Sequence, residues 1–125
     1  MKRNKGFTLV EIMIVVAIIA LLAAIAIPNL LSARRTANQS AARANMRSMC
    51  AEAETFASGA GNGAYTTDQT ALLPSTGRLC GTASGGYSYD CTPGAGGYTF
   101  TATPISAQTG SITYTATTGS VITPP

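Results

Sequence analysis

The stretch that most constrains this chain lies near its start. From Ile12 to Ile27 no side chain is polar, and across Phe7 to Ile27 the only charge is Glu11. At 1.5 Å per residue a helix over this span is about 31 Å long, enough to cross a hydrocarbon core of about 30 Å. A charge inside the membrane costs roughly 2.5–3.5 kcal/mol even on the lenient insertion scale, so Glu11 needs a partner. One candidate arises if the chain is cut after Gly6: the new amine on Phe7 then lies four residues before Glu11, on the same helical face.

The formal charge of +3 misleads, because Lys2, Arg3 and Lys5 all precede that junction. Beyond residue 6, five arginines face five carboxylates, and nothing remains of a generally basic protein seeking nucleic acid. The three early cations bias topology, holding the N-terminus in the cytoplasm while the C-terminal part is exported. Arg34 and Arg35 on the far side weaken that bias without reversing it. An ordinary secretory signal is the competing reading, with Ala24-Ile25-Ala26 as a cleavage site after Ala26 and a secreted domain as product. Glu11 argues against it, since a charge does not belong in an apolar h-region.

Lys5-Gly6-Phe7-Thr8-Leu9-Val10-Glu11, followed by the apolar run and Pro28, resembles the start of a type IV prepilin. The resemblance is close through about residue 30. It continues more loosely through Ala42-Arg43-Ala44-Asn45-Met46-Arg47-Ser48-Met49, which is similar to the next part of pilin helices. It implies that a prepilin peptidase cuts between Gly6 and Phe7 and methylates the new amine. It further implies a homo-oligomeric helical filament polymerised by inner-membrane assembly machinery, with Glu11 as an assembly contact. The precursor would sit in membrane lipid as a single-pass protein with a periplasmic C-terminal domain, and the product would be a cell-surface pilus. A pseudopilin of a type II secretion system is the alternative within the same fold.

Past Pro28 helical spacing resumes, with Leu30, Ala33, Ala37, Ala41, Ala44, Met49, Ala53 and Phe56 as an apolar stripe. Pro28 lacks a backbone donor and is expected to break or kink the helix. The spacing therefore predicts one long, interrupted helix from Phe7 to about Ala57, roughly 75 Å if straight, ended by Ser58-Gly59-Ala60-Gly61-Asn62-Gly63. Arg34, Arg35, Arg43 and Arg47 have no aromatic residues interleaved for base stacking, so no specific nucleic-acid site is expected. Thr67 and Asp68 before Gln69-Thr70-Ala71-Leu72-Leu73-Pro74 predict a short helical turn.

Tyr98-Thr99-Phe100-Thr101-Ala102-Thr103 and Ile112-Thr113-Tyr114-Thr115-Ala116-Thr117 alternate apolar residues with threonine. Period two with one polar face predicts antiparallel strands packed on one side, with Phe100, Ile112 and Tyr114 inward and Thr99, Thr101, Thr113 and Thr115 outward. Tyr87–Cys91 and Val121–Thr123 read as further strands. The expected fold is α+β, a long N-terminal helix packed on a small antiparallel sheet of about four strands. Its expected divisions are a leader (1–6), a membrane and filament-core helix (7–28), the rest of the helix (29–57), a connecting loop (58–86) and the sheet (87–125).

Three cysteines allow one intramolecular disulfide at a time. Cys80–Cys91 closes a short loop and resembles the C-terminal bridge of many pilins; Cys50–Cys91 and Cys50–Cys80 are the alternatives. Without histidine, histidine catalysis and histidine metal sites are excluded. Glu52 and Glu54 point to different sides of a helix, and Asp68 and Asp90 are too few for a calcium site. No catalytic residue, metal or cofactor is expected.

Overall fold

The computed structural model describes residues 6–68, 71 and 79–125. The chain forms two compact units, Met1–Ala33 and Arg34–Pro125. One helix, α1 (Leu9–Ser58), contributes to both. The helix continues through Pro28, so the expected break does not occur there. Proline removes one donor and crowds the carbonyl four residues back, at about 3 kcal/mol. That cost is local, and the hydrogen bonds of the turns on either side continue the helix.

In the first unit every large apolar residue from Phe7 to Leu31 is exposed. This part of α1 is long and apolar enough to cross a membrane. In the second unit α1 buries Ala42, Met46, Met49, Cys50, Ala53 and Ala57. Of the expected stripe only Met49 and Ala53 are buried; Ala37, Ala41 and Ala44 are exposed and Phe56 is half-buried. The cause is chemical. Alanine occupies several faces of this helix, so the true seam is marked by its few larger residues, Met46 and Met49. The helix ends where Gly61 and Gly63 donate back to Phe56 and Ala57 at 2.8 Å, with Asn62 and Gly63 in the left-handed region. The turn expected over Gln69–Leu73 lies outside the described residues, apart from Ala71.

Among the described residues the sheet has five strands rather than about four: β1 (Ala83–Ser84), β2 (Tyr87–Gly94), β3 (Gly97–Pro104), β4 (Tyr114–Thr117) and β5 (Val121–Thr123). It is an antiparallel meander in the order β1-β2-β3-β4-β5. The added strand, β1, is too short for any periodicity to reveal. Tyr87, Tyr89, Cys91, Tyr98, Phe100, Ala102, Tyr114 and Ala116 point onto the helix and form one core with its buried face. Ser88, Asp90, Thr92, Thr99, Thr103 and Thr117 stay exposed on the other side. Ile112 packs against the core from just before β4, and Thr101 and Thr115 are half-buried at the centre of the outer face.

Burying Phe100, Met46 and Met49 contributes about 1.5–3 kcal/mol each. The buried tyrosines fill the rest, and the hydroxyls of Tyr87, Tyr89 and Tyr98 are hydrogen-bonded. Tyr87 donates to the Ile112 carbonyl at 3.0 Å, and Tyr89 accepts from Asn45 at 2.9 Å. Gly110 is buried against the Tyr87 ring, where a Cβ would collide with the phenol.

Candidate functional site

The site begins with the first turn of α1. Thr8 precedes the helix and Glu11 is its third residue, an arrangement in which each side chain satisfies the other's backbone. Thr8 donates to Glu11 Oε2 from its amide at 2.8 Å and from its hydroxyl at 2.7 Å, and the Glu11 amide donates back to Thr8 Oγ1 at 3.3 Å. The carboxylate thus neutralises donors that would otherwise be orphaned at the start of an apolar helix. Its negative charge also lies at the positive end of the helix dipole. Sequence reasoning assigned Glu11 to a free amine and missed this cap. The signal was present as Thr8-Leu9-Val10-Glu11 before an apolar run.

Gly6 and Phe7 lie outside the helix and are exposed, Phe7 at 84%. The Gly6–Phe7 bond is thus open to a second protein. Phe7, Glu11 and Pro28 belong to the first unit and the three cysteines to the second.

The disulfide is Cys80–Cys91, with Cα atoms 5.5 Å apart. It ties the segment before β1 to the middle of β2, and Cys50 remains a buried free thiol on α1. Burial pushes the Cys50 thiol above its ordinary range, which leaves it protonated and unreactive. Among the described residues no group of three histidine, cysteine or acidic side chains could hold a metal ion. Asn38, in a glycosylation sequon, is engaged by its amide with the Thr109 carbonyl at 3.1 Å.

Glu54 is the functional group that sequence reasoning set aside. Its Oε2 accepts from Tyr65 at 2.8 Å, and its Oε1 accepts from Tyr98 at 2.9 Å and from the Gly119 amide at 2.8 Å. These partners are 11, 44 and 65 residues away, which no local pattern encodes. The Tyr65 hydrogen bond above all holds the Glu54 carboxyl below the usual carboxylate range. Burial pushes the Tyr98 phenol up, so it acts here as a donor.

Residues 1–27 match the prokaryotic N-terminal methylation motif family, covering the basic start, the Gly6–Phe7 junction, the cap and most of the apolar run. The type IV wide pilus major component of Thermus thermophilus is 45% identical over 73 residues, 58% of this chain and 54% of the relative. The type IV major pilin protein of Myxococcus xanthus is 37% identical over 89 residues, 71% of this chain and 40% of the relative. By its N-terminal motif and by these relatives the chain is similar to type IV pilins. A fimbrial protein of Pseudomonas aeruginosa is 79% identical over 28 residues, 22% of this chain and 18% of the relative. The chain spans about half the length or less of these curated relatives. No solved structure matches it significantly. These relatives are named as a pilus component and a major pilin.

Proposed function

We propose that this chain is a structural subunit of a type IV pilus, made as a prepilin, cut after Gly6, methylated on Phe7 and polymerised from the inner membrane. The observation that carries the reading is the helix from Leu9 to Leu31, with every large apolar side chain exposed and one capped carboxylate near its start. A surface of that kind is stable only in lipid or against other apolar helices. A filament core of packed copies supplies the second environment and the membrane the first. Residues 7–28 then form the membrane and filament-core segment.

Cleavage converts the Phe7 peptide nitrogen into an amine. A cation meeting Glu11 in a low-dielectric bundle is a strong and position-specific contact, because either charge alone is costly there. Pairing between neighbouring copies fixes the axial register of the polymer as well as holding it. The peptidase, the assembly machinery, the periplasmic orientation of residues beyond Arg34 and the surface location of the product all follow from this reading.

The experiment is electron microscopy of cells with and without the gene. Long surface filaments lost on deletion and restored by the gene support a pilus subunit. Failed protein secretion with no such filaments overturns it in favour of a pseudopilin.

A further inference from the structure

The last hairpin of the sheet is held down by one carboxylate. Strand β5 pairs with β4 at only three positions, Thr115↔Thr123, Ala116↔Ile122 and Thr117↔Val121. Val121 and Thr123 are exposed, and among the described residues no strand covers β5 on its outer side. The turn before it carries two residues in the left-handed region, Gly119 at φ 83° and Ser120 at φ 59°. For Ser120 that conformation is unfavourable by itself.

The turn is nonetheless fixed, because one of its amides bonds α1 and the next bonds a hydroxyl on β3. Gly119 N–H donates to Glu54 Oε1 at 2.8 Å, and Ser120 N–H donates at 3.2 Å to the Tyr98 hydroxyl, which in turn donates to Glu54. On the other side of the turn Thr118 Oγ1 accepts from the Tyr98 amide at 3.0 Å. One amide of the turn thus reaches the carboxylate directly and the next reaches it through the Tyr98 hydroxyl.

We infer that Glu54 is the latch of a strap: its carboxylate holds the β4–β5 turn so that β5 covers the edge of β4. The covered strand explains why a latch is useful. Ile112–Thr117 is β-branched, aromatic and alanine throughout, with no charge and no proline. An uncovered strand of that composition pairs readily with another copy of itself. β5 is too short to stay down on three pairs alone.

The test is hydrogen exchange on the full chain in detergent micelles, comparing wild type with Glu54→Ala and Tyr98→Phe, followed by sedimentation of the same samples. Glu54→Ala is expected to speed exchange of the 119–125 segment by about tenfold or more, the effect of losing hydrogen bonds to a charged acceptor. β2 and β3 should stay protected. Tyr98→Phe, which keeps the ring and removes the link to Ser120, should give the same local pattern at smaller size. Both variants should sediment as larger species than wild type. Unchanged exchange at 119–125, or an equal rise across all strands in both variants, overturns the latch. Local opening without larger species overturns the edge-covering role.

Discussion

Thr8 and Glu11 close on one another at the first turn of α1, with the Thr8 amide and hydroxyl both reaching Glu11 Oε2 at 2.8 and 2.7 Å. This pair resolves a conflict in the sequence, where a carboxylate stands inside a segment otherwise fit for lipid. The cap satisfies Glu11 within the chain before any other subunit is present, and it holds the carboxylate in one place.

Removing the carboxylate should therefore separate insertion from assembly. Glu11→Ala is expected to insert and be cut normally, since alanine eases insertion, yet to give few filaments. Glu11→Asp should be intermediate, with the charge kept and the reach shortened. Thr8→Val removes the cap hydroxyl, at about 1 kcal/mol, and should lower filament yield while Thr8→Ser retains it. Quantifying sheared filaments alongside processed protein checks all four. Wild-type yield from Glu11→Ala would show that Glu11 is not an assembly contact.

The sheet register predicts a contrast between adjacent residues of β4. Tyr114 is buried in the core, whereas Thr115 lies on the outer face. Tyr114→Thr should lower stability by about 2–4 kcal/mol, as large-to-small core changes do, while Thr115→Ser should change little. Equal effects in chemical denaturation of the full chain would contradict the register.

The two ends of the molecule were not equally legible in sequence. Threonine at every second position marked β3 and β4 because a half-exposed strand has a period that composition displays directly. The prepilin-like start was legible for the same reason: its signal is local. The buried face of α1 was not, since Ala41, Ala42 and Ala44 offer three faces of similar hydrophobicity and only tertiary packing selects Ala42. Pro28 was read as a break because its local penalty is real, yet the helix extends on both sides of it. Glu54 was invisible as a junction because its partners come together only after the sheet has formed.

Acid should act on that junction with a definite sign. The folded Glu54 carboxyl lies below its ordinary value of 4.5, so its stabilising contribution is full above that pH. It is lost as pH falls through the folded value. Thermal melting between neutral and strongly acidic pH should therefore show an acid-side loss in wild type that is smaller in Glu54→Gln. An equal loss in both would show that the Glu54 junction does not set the acid sensitivity.

The Cys80–Cys91 bridge closes a loop with a sequence separation of 11. Chain-entropy reasoning for a loop of that size gives about 3 kcal/mol. Cys80→Ser/Cys91→Ser should lower stability by about that amount without opening Cys50 to thiol reagents in the native state, because Cys50 is buried by α1 and the sheet rather than by the bridge. Rapid labelling of Cys50 in the folded double variant would show that the bridge maintains the core.

The most direct test of the whole account is the N-terminal mass of subunits recovered from sheared surface filaments. The expected species begins at Phe7 and carries one methyl group on its amine. A chain beginning at Ile27, released after Ala26, or an intact chain beginning at Met1 in the same filaments, would contradict it.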